Sequence, residues 1–179
     1  MKQLRLAVLV TLALSGSASA QEFQRYTFSN IKWLSAPAVV TSQLEDAGYT
    51  IDGSGLDENG TLTFAGSLAD ERVVGAATFV EQQLLKLDLF VPTAEIPANE
   101  RGAAAAAISS RVREVLTEQH GSPTREEGNA AVWLTDEVSG YVGGILLEVD
   151  QDEDVAIIYE SPRWQLVIDE LQGRGIEAF

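Results

Sequence analysis

The sequence predicts an α+β fold: two units in tandem, each a helix followed by three antiparallel strands, closed by a C-terminal helix. Three observations point there. Gly60 to Val91 can be laid over Gly128 to Tyr159 at a constant offset of 68 residues, and internal repeats decide how the rest of a chain is read. A stretch with helical apolar spacing precedes each of these blocks. Inside each block the apolar period falls to two, the spacing of a strand with one buried face.

The overlay agrees in pattern more than in identity. Gly60 meets Gly128, Val74-Gly75 meets Val142-Gly143 and Gln83 meets Gln151. Among apolar positions, Phe64 meets Val132, Phe79 meets Leu147, Leu87 meets Val155 and Leu89 meets Ile157.

The first helix is expected to start at Ser35 as N-cap with Pro37 in its first turn. Ala36, Val40, Leu44 and Ala47 fall on one face, and Gly48 stands where a left-handed residue stops a helix. Asp57-Glu58-Asn59-Gly60 is turn chemistry leading into a strand. Leu85, Leu87, Leu89 and Val91 alternate with Lys86, Asp88 and Phe90, which predicts one buried face. Arg72 to Val80 and Val142 to Val149 are apolar on both faces, as central strands are. The second helix follows Pro97 and Asn99 with five alanines, Ala103 to Ala107. Ile108, Val112, Val115 and Leu116 extend its apolar stripe, and Gly121 with Pro123 ends it. Gln151-Asp152-Glu153-Asp154 is a polar strand connection. Such short connections require antiparallel neighbours. A last helix, over residues 162–172, has Ser161 as N-cap, Pro162 at the first position and Gly173 as stop. Its Trp164, Val167, Ile168 and Leu171 share a side that would cover an open sheet face or edge.

The first 20 residues read as a signal peptide. Lys2 and Arg5 precede an apolar run from Leu6 to Leu14, and Ala18-Ser19-Ala20 fits a cleavage site before Gln21. That run is too short to span a bilayer. The mature chain, residues 21–179, is expected to be one soluble domain in the periplasm or outside the cell, its halves at about 33–96 and 97–161. The chain has no cysteine, hence no disulfide and no cysteine-borne lipid anchor, and a domain of this size can fold without either.

A tandem of helix-plus-antiparallel-sheet units in an exported chain resembles the beta-lactamase-inhibitor-protein-like architecture. The resemblance implies binding of a protein partner. It covers element order; a second helix per unit and a fourth strand per sheet are not read in this sequence, and no residue role is carried over.

Charge narrows the partners. Without Lys2 and Arg5 the chain keeps ten basic residues against 27 acidic ones, a net charge of −17. Nucleic acid and anionic membranes need clustered Lys and Arg, so neither is an expected partner. Two origins of the acidity stay open: a compositional bias with a solubilising surface, and adaptation to salt. In either case the charges repel one another in the compact state, and salt limits that repulsion to about 10 Å at 0.1 M ionic strength. The melting temperature should therefore rise from low to moderate sodium chloride; a flat or falling trend in thermal scans would mean that the charges are already paired.

Signatures of chemistry are sparse. His120 is the only histidine and stands at a helix end, where a cation suits the dipole. With no cysteine and one histidine, zinc sites built on Cys or paired His are excluded. The mature chain holds no Gly-x-Ser-x-Gly elbow, and Gly53-Ser54-Gly55 lacks the third glycine of a dinucleotide loop. Asp150, Asp152 and Asp154 open like a calcium loop, but Val155 and Ser161 stand where that loop needs Gly and Glu. They remain candidates for weak calcium binding only. Trp133 alternates with Val132 and Leu134; with Phe90 it would mark a binding surface if exposed. No cofactor is expected. The leading expectation is a non-catalytic domain that binds a protein or small-molecule partner. The alternatives are a hydrolase using carboxylates or a serine in a groove between the halves, and a weak calcium-binding protein.

Overall fold

The computed structural model describes residues 24–53, 55–137 and 140–173; the signal-peptide reading falls on residues outside these. Among the described residues the order is α1 (Pro37–Asp46), β1 (Thr50–Ile51), β2 (Thr61–Leu68), β3 (Glu71–Val80), β4 (Gln83–Val91), α2 (Ala98–His120), β5 (Arg125–Glu127), β6 (Ala130–Leu134), β7 (Gly144–Val149), β8 (Val155–Glu160) and α3 (Pro162–Gly173). The chain is mixed α+β, with all eight strands in a single antiparallel sheet ordered β1-β2-β3-β4-β8-β7-β6-β5. Four strands precede α2 and four follow it, one more on each side than the sequence suggests. The additional ones are the short outer strands β1 and β5, of two and three residues. Short edge strands leave little template for pairing with another chain.

The strands before α2 and those after it meet where β4 pairs with β8. Leu89 stands opposite Ile157, flanked by Leu87 opposite Tyr159 and Val91 opposite Val155. All six side chains are buried on one face, here termed inner. That face also carries Leu62, Phe64, Val73, Ala77, Phe79, Ala131, Trp133, Ile145 and Leu147. Val40 and Leu44 of α1, and Ala105, Ile108, Val112 and Leu116 of α2, pack onto it. Helix α1 lies against β1 and β4, and α2 against β7 and β8. An irregular segment ahead of α1 completes the core with Tyr26, Phe28, Ile31 and Trp33. It is tied to the sheet by Leu34 N–H donating to Leu84 O (3.0 Å) and Leu84 N–H donating to Ser35 O (3.0 Å). Gly75 lies under the Phe64 ring, and a Cβ there would collide with it.

Several local expectations are corrected. The N-cap of α1 is Ala36, with no side-chain cap bond, so Ser35 does not cap. Ser161 Oγ is buried and makes no hydrogen bond, so it does not cap α3 through its side chain. Gly48 (φ 89°) and Gly121 (φ 83°) follow α1 and α2 at positive φ, as stop residues do. In β4 the pairing runs Lys86 with Thr78 and then Leu84 with Phe79, which leaves Leu85 as the additional residue of a bulge. Leu85 therefore leaves the face of Leu87, Leu89 and Val91, and lies instead with Val80, Arg163 and Val167 beside α3. Helix α3 is tied to the start of β4 by Arg163 Nη1 donating to Gln83 Oε1 (2.9 Å).

Candidate functional site

With α1 and α2 on the inner face, alternation sends every second strand residue to an outer face. The register orders that face in rows. One row runs Val74, Phe90, Ala156. The next runs Ala76, Asp88, Ile158, Leu146, Val132. A third runs Thr78, Lys86, Glu160, Gly144, Leu134. Val74 (41%), Phe90 (39%) and Leu134 (41%) are exposed, as is Val142 (42%) in the connection before β7. Of the five large apolar side chains that are exposed, four thus lie on this side, in two groups, Val74 with Phe90 and Leu134 with Val142; the fifth, Val39, is on α1.

The third row contains a notch. Gly144 brings no side chain between Glu160 and Leu134, and a Cβ at this position would run into the Trp133 carbonyl. A cavity of about 150 Å³ forms there, lined by Val132, Leu134, Val142, Leu146, Ile158 and Glu160 around the glycine backbone. A Cβ at the neighbouring Gly143 would meet the Glu160 carbonyl and the Pro162 ring at 2.6 Å, so both glycines are needed for this close packing.

Charge gathers at the α3 side of the notch. Lys86 Nζ lies 3.0 Å from Asp88 Oδ1, the two side chains only 22% and 16% exposed. The same ammonium sits 5.6 Å from the centre of the Trp164 ring. Burial pushes the Glu160 carboxyl above its usual pKa; Lys86 opposes this, Asp88 adds to it, and a hydrogen bond with the Trp164 side chain again opposes it. Lys86 is thus paired with Asp88, while the Glu160 carboxyl, hydrogen-bonded to the Trp164 side chain, stands at the rim of an apolar hollow.

The residues singled out by the sequence are dispersed. Trp133 is fully buried on the inner face, where its Nε1–H donates to Gly121 O (2.8 Å), which removes it from any binding surface. Its side chain reaches the end of α2 on the inner side, so the alternation with Val132 and Leu134 places those two outside instead. Phe90 does lie on the outer face. Asp150 Oδ1 accepts from the N–H of Asp152 and of Asp154 (both 2.9 Å), closing its own turn. Asp154 Oδ1 accepts from Thr93 N–H (2.6 Å) and Thr93 Oγ1 (3.0 Å), anchoring the connection that leaves β4. Among the described residues, no group of three or more His, Cys, Asp or Glu is arranged to hold a metal ion, and no helix is long and apolar enough to cross a membrane.

His120 ends α2 against two rings, Tyr26 edge-on at 5.6 Å and Tyr159 at 6.5 Å. Its Nε2 is buried without a hydrogen bond, and burial lowers its pKa below the usual 6.5. The unfolded chain therefore binds this proton more readily than the fold does, so stability falls as pH drops below about 6.5 towards the lowered value. His120→Phe should flatten that part of a plot of unfolding free energy against pH. An unchanged slope in the variant would assign the acid sensitivity to carboxylates.

The hollow itself escaped the sequence reading. Its signal was present in Val132, Leu134, Leu146 and Ile158, but these also fit a strand buried on both faces. Gly143-Gly144 carried the only further hint.

Comparison with known protein families, with curated proteins and with solved structures finds no match for this chain.

Proposed function

We propose that this chain is an exported, non-catalytic domain of the cell envelope that binds a protein partner through its outer sheet face. The observation that carries the reading is the exposure of Val74, Phe90, Leu134 and Val142 on the side opposite α1 and α2. An open face with apolar side chains set among Lys86, Asp88, Glu148 and Glu160 suits an extended protein surface better than an enclosed small molecule. The acidity of the chain argues against nucleic acid and anionic lipid as the partner. The hydrolase alternative calls for a groove between the halves, and the β4–β8 ladder occupies that place. The calcium alternative is weakened because oxygens of Asp150 and Asp154 already serve the backbone of their own turn and Thr93.

The same reading takes the scaffold as two related units about a pseudo-twofold axis through the Leu89–Ile157 pair. The 68-residue offset of the sequence equates these two residues, and they face each other across the central ladder. Helix α3 would then close the β3–β4 end of the outer face, leaving the rest for the partner.

Export is tested by N-terminal sequencing of secreted material, with Gln21 expected first. Binding is tested by passing an envelope extract of the native host over the immobilised mature chain. Partners held by the wild type should be lost from the Val74→Glu/Phe90→Glu double variant and kept by Ala103→Glu on the exposed side of α2. Equal retention by all three chains would overturn the outer-face reading.

A further inference from the structure

We infer that the notch over Gly144 is a receptor for one arginine side chain of the protein partner, its stem against Leu134, Leu146 and Ile158 and its guanidinium on Glu160. This deepens, and rests on, the reading of the outer face as a binding surface. Three features of the site select that occupant.

The first is shape. The hollow exists because Gly144 must be glycine: a side chain there would collide with the Trp133 carbonyl. Its volume of about 150 Å³, open to solvent on one side, is on the scale of a single side chain. One long side chain fits; a helix or strand backbone does not.

The second is the lining. Apolar side chains form the walls, and Glu160 is the one charged group among the lining residues. A long cationic side chain has this division built into it, an aliphatic stem that packs on apolar surface and a charged head that reaches past it.

The third is charge. Lys86 pairs with Asp88, Glu160 is the acid at the hollow itself, and the whole chain carries −15. Long-range attraction and the acid at the hollow therefore favour the same sign of ligand charge. Burial already disfavours the ionised Glu160 carboxyl, so an arriving cation relieves a desolvated anion rather than competing with a hydrated one. Arginine is selected over lysine because its planar fork matches a carboxylate in two hydrogen bonds and is less strongly hydrated.

The test titrates the intact mature chain with the capped tripeptide acetyl-Leu-Arg-Leu-amide and with its neutral citrulline counterpart, following methyl NMR signals. The arginine peptide should shift the methyls of Val132, Leu134, Leu146 and Ile158 saturably and bind at least tenfold more tightly than the citrulline peptide. Glu160→Gln should erase that difference, while Glu58→Gln, an exposed acid in the turn before β2, should preserve it; the second variant separates the site from general attraction to an acidic protein. Equal binding of both peptides, or a preference that survives Glu160→Gln, would overturn the assignment. Shifts centred on Val74 and Phe90 in place of the notch would overturn the arginine site and leave the wider face standing. Silence at every outer-face methyl would likewise overturn it, with the envelope-extract experiment deciding the wider reading separately.

Discussion

Trp133→Ala should destabilise the domain by about 3–5 kcal/mol in urea melts, the range for removing a large aromatic from a core. The side chain is fully buried among inner-face residues. It also holds a junction: its Nε1–H donates to the carbonyl of Gly121, the residue that ends α2. Truncation leaves a hollow under α2 and removes the donor from that carbonyl at the same time, and the second loss adds to the first. Trp133→Phe separates them, since it keeps most of the ring and removes the donor; it should fall between wild type and alanine. Leu134→Ala, one residue along and on the outer face, should stay within about 0.5 kcal/mol, as exposed positions do. Similar losses at Trp133 and Leu134 would mean that β6 is turned over.

The contrast between these two neighbours also shows what could be read from residue order. Apolar residues on both sides of a strand say that both faces are apolar; they do not say which one receives the helices. That depends on where α1 and α2 land, and both land on the side of Trp133. Elements whose signal is local were legible. Gly48 and Gly121 stop their helices at positive φ, and β4 alternates from Leu87 to Val91 as expected. Features without a local signal were not. The β2–β3 and β3–β4 connections turn at Ala69-Asp70 and Glu81-Gln82, all four at positive φ, in place of the Asn-Gly or Asp-Gly pairs that usually mark such hairpins. The bulge at Leu85 is set by cross-strand pairing and has no glycine to announce it. Tyr26, Phe28, Ile31 and Trp33 lack either period, because the segment that carries them is neither helix nor strand. Their burial comes from the aromatic cluster they join: Phe28 meets Tyr49, Phe64 and Tyr159 at ring distances of 5.4, 6.4 and 5.6 Å. The candidate site was hidden for a related reason. A hollow made by an absent side chain at Gly144, between two strands distant from Lys86 in sequence, is visible only once register is known.

Register is what the second large effect measures. Leu87→Ala and Ile157→Ala should each cost about 2–5 kcal/mol. Both side chains are completely buried, on adjacent central strands, where the core from α1 and the core from α2 join. Little local collapse can fill a hollow at the middle of an eight-stranded sheet, so the upper part of the range is expected. Lys86→Ala sits one residue from Leu87 and on the other face. It loses a pair with Asp88 and the contact over Trp164, interactions that together come to about 1 kcal/mol for partly exposed groups. The comparison is sharper than any single value, because a slip of one residue in β4 exchanges the two faces and inverts the order. Leu87 and Ile157 do not face each other: Leu87 opposes Tyr159, and Ile157 opposes Leu89. The Leu89→Ala/Ile157→Ala double variant, which hollows one cross-strand pair, should depart from additivity by about 0.5 kcal/mol or more, and by more than Leu87→Ala/Ile157→Ala, whose residues are diagonal neighbours. Losses at Lys86 equal to those at Leu87, or stronger coupling between Leu87 and Ile157 than between Leu89 and Ile157, would place β8 in a different register on β4, and with it the row that brings Lys86, Glu160 and Gly144 together.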